Sequence, residues 1–250
     1  MKTERYIAPY TIGALTPYEK VAMPDSRSLQ SSWGDWDLTW EGMGLQVLTF
    51  CGAPYYMLTV ATALTASYWI YRTMLAFDTS DLPEDIIIHN AHISLYVLNH
   101  ETWGGSIIVT PGAFRIPVII ADWAMQTPLI GIGGQKSCAT FVNSAFNDIE
   151  LNDQGLGWIN PGGITQFCLR EQHDVNHVIP GVAYGTSNSI SFHSPLLSTY
   201  EPRLVINYEL VRPPPEKSNI WLWVALGLAG AGLAGAGLVI AAQRQRKEKG

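Results

Sequence analysis

Two histidines four residues apart, His173 and His177 in the run HDVNH, have types and spacing that suggest a metal site. That spacing puts both rings on one side only in a helix, and this run follows a strand-like segment and precedes Pro180. A zinc protease also needs a glutamate directly after the first histidine, and none follows here. Asp174 and Asn176 offer oxygen ligands of the kind Ca²⁺ takes, but the run reads better as a solvated loop. Asp78, Asp81, Glu84 and Asp85 crowd the stretch DTSDLPED, which invites an acid-pair or calcium reading. Their positions follow the turn chemistry of Asp and Pro, and a turn is the preferred reading. His89 and His92 flank a strand and read as surface or satisfied core residues.

Cys51, Cys138 and Cys168 cannot all pair with one another, match no metal or redox spacing, and have no histidine nearby in sequence. One bridge plus a free thiol and three buried reduced thiols both fit. GIGGQK at 131–136 resembles a phosphate loop only superficially: Lys136-Ser137 is present, but the first glycine is wrongly spaced and no convincing helix follows. It predicts a mobile loop. Trp33, Trp36 and Trp40 are grouped as a sugar-stacking platform would be, yet packing around a first strand pair accounts for them better. No serine lies in a nucleophile elbow. The expectation is a protein that is not an enzyme, with no catalytic residue, no metal site, no cofactor and an unassigned ligand site.

The elements that would position such groups are strands. From Tyr68 to Val97 two apolar runs flank DTSDLPED; Tyr71, Thr73, Leu75 and Phe77 share one parity, as do Ala91, Ile93, Leu95 and Val97. Period two in β-branched and aromatic residues means strand, and apolar residues on the second face as well predict inner strands of packed sheets. ITQFCLR aligns Thr165, Phe167 and Leu169, and PRLVINYEL aligns Leu204, Ile206, Tyr208 and Leu210. One short helix is expected after Phe146, capped by Asn152, with Leu156 and Ile159 inward and Pro161-Gly162-Gly163 as its stop. Many short strands with almost no helical period predict an all-β sandwich over 31–210, preceded by an irregular arm at 1–30 without a signal-peptide core.

Charged residues make up 14% of the 250-residue chain and the net charge is −6, which excludes a nucleic-acid partner because phosphate binding needs a basic stripe. Beyond the body, 211–219 is a proline-rich linker of extended polyproline character. Residues 220–242, IWLWVALGLAGAGLAGAGLVIAA, carry no charge and as a helix would cover roughly 34 Å, enough for the ~30 Å hydrocarbon layer. Trp221 and Trp223 stand at one interface, and the basic tail 243–250 at the other predicts a single-pass protein with its tail inside and the sandwich outside. Gly227, Ala231 and Gly235, four apart, form a small-residue face on which two such helices could pack.

Arg72, Phe77, Asp78, Ser80, Leu82, Pro83, Ile88, Ala91, Leu95 and Tyr96 resemble the signature of the DNRLRE family, disaggregatase-related jelly rolls akin to carbohydrate-binding modules. The closing half is similar too, through Leu151, Asn152, Gly155, Ile159, Asn160, Gly163, Thr165, Leu169, Arg170, Pro202, Leu204, Val205 and Tyr208. The resemblance covers most of 70–210 and implies a non-catalytic jelly-roll sandwich of the kind found in envelope, matrix or virion proteins. It transfers no ligand site, because most matching positions are apolar or turn positions. The expected function is therefore a structural or surface-display protein of a virion or cell envelope. The alternative is a membrane-anchored glycan-binding or adhesion module. Expected partners are membrane lipid through 220–242, assembly partners or further copies of the chain, and glycan.

Overall fold

The computed structural model describes residues 15–42, 44–48, 57–64, 67–102, 104–180, 186–196 and 199–211. Cys51, the linker from 212, the candidate span 220–242 with Gly227, Ala231 and Gly235, and the tail 243–250 lie outside them. Among the described residues, no helix is long and apolar enough to cross a membrane.

Among the described residues, twelve strands form one continuous, wholly antiparallel sheet. They are β1 (Thr16–Val21), β2 (Arg27–Trp33), β3 (Gln46–Leu48), β4 (Met57–Leu64), β5 (Tyr68–Asp78), β6 (Ile86–Glu101), β7 (Ser106–Pro111), β8 (Gly134–Ser137), β9 (Ala145–Glu150), β10 (Ile164–Glu171), β11 (Thr186–His193) and β12 (Arg203–Leu210). The long strands β5 and β6 organise the rest. β5 pairs with β2 along one edge and, end to end along the other, with β4 and β10. β6 pairs with β9 on one edge and with β12 then β11 on the other. β4 and β11 join the two groups, while a bridge from Gly134 to Leu151 brings the end of β8 back against the end of β9. Gly134 is required there, because a Cβ would sit 2.3 Å from the Glu150 carbonyl oxygen.

The curled sheet is sandwich-like and encloses one main core. Leu75 and Phe77 from β5, Ala91, Ile93, Leu95 and Val97 from β6, Phe167 and Leu169 from β10, Ile190 and Phe192 from β11, and Leu204 and Ile206 from β12 are all fully buried in it. The alternation read from the sequence produces this directly, since side chains two apart share a face. It fails only at Leu210, the last residue of β12, which is half exposed although Tyr208 two residues before it still packs in the main core.

Several expectations are corrected. The arm at 1–30 is not irregular from Thr16 onward: β1 pairs with β12 and β2 with β5, so both belong to the body. Polar residues hide β1, whose alternate side chains are merely half-buried. Among the described residues there are four short α-helices where one was expected: α1 (Trp36–Glu41), α2 (Asp122–Gln126), α3 (Asp153–Leu156) and α4 (Gln172–Asn176). The expected helix is α3, with the Asn152 side chain accepting from the Gly155 N–H. α1 is held by Asp35, which accepts from the Leu38 N–H, and ends on Gly42 at φ 93, a left-handed conformation that favours glycine. GIGGQK is not a loop throughout: its last three residues begin β8, paired with β7.

α1, α2 and the 112–133 excursion cover the outer face of β2, β5 and β10. Leu29, Ile70, Met74, Ala76 and Cys168 point outward from the strands into a second core closed by Trp36, Phe114, Val118 and Trp123. Phe167→Ala in the main core should cost about 3–5 kcal/mol, read as a lowered urea midpoint at unchanged slope.

Candidate functional site

Two places gather chemistry-bearing side chains. The first lies in the covering layer. Arg72 on β5 and Arg170 on β10 point to the outer face and meet the carboxylate of Asp174 on α4, all three fully buried. Arg72 donates from Nε (2.9 Å) and Nη2 (2.6 Å), and Arg170 from Nε (2.8 Å) and Nη2 (2.9 Å), so two bidentate forks share one carboxylate. The remaining donors are used as well: Arg72 Nη1 reaches Thr127 Oγ1, and Arg170 Nη1 reaches the carbonyls of Gln126 and Leu129. Burial would raise the Asp174 carboxyl, but the guanidinium groups of Arg170 and Arg72 outweigh it and hold the group well below the usual carboxylate range.

Tryptophans bind this node to the helices. Arg72 Cζ lies 3.8 Å from the centre of the Trp123 ring, Trp123 Nε1 donates to the Trp40 carbonyl, and Trp40 Nε1 donates to the Asp174 carbonyl. His177 stacks on Trp40 at 3.9 Å and its Nε2 lies 3.0 Å from Asp37 Oδ1. Beside the node the buried Glu171 accepts from Thr62 Oγ1, Asn188 Nδ2 and the His173 N–H, and lies 2.9 Å from His173 Nδ1.

These contacts revise the reading of HDVNH. The run is a helix, α4, ending on His177 in the left-handed region at φ 50. His173 and His177 nevertheless face different partners, Glu171 and Asp37. Asp174 is not on a solvated loop; it is fully buried. Among the described residues no group of three or more His, Cys, Asp or Glu is arranged to hold a metal. Trp36 and Trp40 sit on α1 rather than on a strand pair: Trp36 is buried, Trp40 is half-buried, and Trp33 at the end of β2 is exposed. Cys138 and Cys168 are free, buried thiols, each pushed up to about 12 by burial, which leaves them unreactive at neutral pH. In the DTSDLPED loop Asp78 accepts from the Ser80 N–H, while Asp81 accepts from Tyr18 and Lys20 of β1.

The second place is the outer face of β6, β9 and β12. There Tyr96 stands opposite Phe146, Ser94 opposite Asp148 and His92 opposite Glu150. Tyr96 meets Phe146 edge-on at 5.3 Å and Tyr200 at 4.1 Å; Tyr200 stacks on His193, and Arg203 Cζ lies 4.7 Å from the Phe146 ring centre. Phe146 keeps 41% of its surface exposed, and the Glu150 side chain 72%. Ser94 Oγ donates to Asp148 Oδ1 at 2.6 Å, and His92 Nε2 lies 3.8 Å from Asp148 Oδ2. A serine hydrolase places the imidazole between hydroxyl and carboxylate. Here the carboxylate is between them, so no ring stands ready to take the Ser94 proton. What the face can do is stack flat apolar groups on its aromatics and accept hydrogen bonds on Asp148 and Glu150.

No family model matches the chain, and no curated protein matches it. Of the residues weighed from the sequence, the structure brings Asp174, His173 and Trp40 to one layer, together with Arg72 and Arg170. Phe146, Tyr200, Arg203 and His193 were missed; the alternation of Phe146 with Asp148 and Glu150 along β9 was the available signal.

Asp174→Ala would leave two buried guanidinium groups facing one another, and the urea midpoint should fall by the equivalent of about 3–5 kcal/mol. The Glu171 hydrogen bond raises the His173 value against the opposing effect of burial. The stability it contributes is thus complete below the unfolded value, about 6.5, and lost as pH rises through the folded one. His173→Gln should flatten that part of the urea midpoint's dependence on pH.

Proposed function

We propose that the chain is a non-catalytic structural or surface-display module of an envelope or virion, a jelly-roll-type body carried on a membrane through 220–242 with its basic tail inside. The observation that carries this reading is the commitment of the ionisable groups of the covering layer. Asp174, Arg72, Arg170 and Glu171 are fully buried and spent on one another or on backbone and hydroxyl partners. Groups locked in this way hold a shape rather than exchange protons with a substrate. The open face of β6, β9 and β12 is then the surface through which the body contacts its assembly partners. The composition of 220–242 and the resemblance to jelly-roll appendage modules support the same reading.

A second reading, glycan binding, is favoured by one feature: Phe146, Tyr96 and Tyr200 beside Asp148 and Glu150 combine ring faces with hydroxyl acceptors. One variant separates the two. Phe146→Ala with Tyr200→Ala in the full chain should lower the multimer fraction in light scattering about tenfold if the face serves assembly. If the multimer is unaffected and binding on a glycan array is lost instead, the second reading holds. If both are unchanged, this face has neither role.

A further inference from the structure

His92 on β6 stands between the two carboxylates of the open face. Its Nε2 lies 3.8 Å from Asp148 Oδ2 and its Nδ1 4.0 Å from Glu150 Oε1, so each ring nitrogen faces a different acid. Neither separation is a hydrogen bond. The ring is the sheltered member of the three: its side chain is 22% exposed, against 49% for Asp148 and 72% for Glu150. Asp148 Oδ1 already accepts from Ser94 Oγ, which leaves Oδ2, the oxygen facing the ring, for a partner.

A neutral imidazole has one N–H and one lone pair. Between two carboxylates it can donate to one only, and it turns its lone pair towards the other. The imidazolium donates from both nitrogens, and this ring has an acceptor on each side. One added proton therefore converts a ring that bonds neither acid into one that can hold both, with a positive charge set between two negative ones. Histidine is the side chain that makes this change between about pH 5 and pH 8.

The other charges nearby do not duplicate that role. Val205 stands opposite His92 on β12. One row on, Arg203 stands opposite Ser94, and its Nη1 is paired at 3.2 Å with Glu19 Oε1 of β1. Further along β6, His89 faces Glu209 and His100 faces Asn143, while Asp153 opens α3 beyond the end of β9. Among the described residues, the ion pairs of His92 are with Asp148 and Glu150.

We propose that His92 is a proton-operated clamp on the open face of β6, β9 and β12: in acid it draws Asp148 and Glu150 onto itself and releases what the face holds. The proposal rests on the reading of that face as a contact surface and adds its regulation. The rings of Tyr96, Phe146 and Tyr200 stay where they are; what is withdrawn is the pair of acceptors beside them. Contact is made near neutrality and lost in acid.

The test uses the full chain at about pH 8 and about pH 5, either side of histidine titration, with the multimer fraction in light scattering and the glycan-array signal as readouts. In the wild type, the readout that depends on Phe146 and Tyr200 should fall about fivefold on acidification, the worth of two partly exposed ion pairs. In His92→Gln, whose side chain takes no charge, the readout should be the same at both values. In His92→Lys, charged at both, it should stay at the acid level throughout. An equal fall in wild type and His92→Gln, no fall in the wild type, or a His92→Lys chain as competent as wild type near pH 8 overturns the inference and leaves the face a contact surface. If Phe146→Ala with Tyr200→Ala changes neither readout near pH 8, the reading of the face itself fails and the clamp falls with it.

Discussion

One carboxylate between two guanidinium groups fixes the outer half of this molecule. Asp174 is out of contact with water, and so are Arg72 and Arg170. Guanidinium groups stay charged, so the strands β5 and β10 carry two like charges on adjacent positions of one buried face. Without α4 delivering its carboxylate, that face would have to stay in water. The position of α4 follows, and the rest of the layer with it: Trp40 and Trp123 close over Arg72 and hydrogen-bond one another and the Asp174 carbonyl. Chain segments as distant as α1, the 112–133 excursion and α4 are held to one point by polar contacts whose loss would strand charge in the interior.

The two sides of the sandwich therefore differ in kind. On the β5 side polar groups are turned inward and consumed, and the stretch 116–135 turns no charge outward. On the β6 side the strands carry their polar and aromatic residues outward: His92, Ser94 and Tyr96 beside Phe146, Asp148 and Glu150. A body built in this way has one side that buries its charge and another suited to directional recognition. The second would act without disturbing the main core, since that core is shared by strands from both sides and none of its members belongs to that surface.

The core was legible in the sequence because period two is a local signal. Ala91 to Val97, Leu75 with Phe77, and Thr165 to Leu169 announce their common face without reference to anything distant, and all are buried as read. The capped helix at Asn152 was legible for the same reason. β1 was not, because its partner β12 lies nearly two hundred residues away and its own polar alternation resembles an arm. The Asp174 node was illegible for a stronger reason. Arg72, Arg170 and Asp174 stand on three separate elements, and an arginine on a strand reads as solvent-facing until something is known to cover it. The tryptophans gave the missing signal: bulk enough to roof a sheet, attributed to a strand pair because nothing local showed that Trp36 and Trp40 lie on a helix.

The same logic explains why the covering layer can afford an outer surface without charge. A surface excursion normally stays in place through its own strands or through a wide apolar underside, and it stays soluble through exposed charge. Here the 112–133 excursion has a small strand-free underside, Phe114, Val118 and Trp123, and is completed by polar contacts from below: Arg72 to Thr127, Arg170 to the Gln126 and Leu129 carbonyls. Its one carboxylate, Asp122, is folded inward onto the Ile119 N–H. Charge that anchors a layer from inside need not appear outside, so the outer residues are free of the constraint that shapes most loops. That freedom is what the exposed isoleucines between Ile119 and Ile132 occupy, and it exists only because the buried ions hold the layer down.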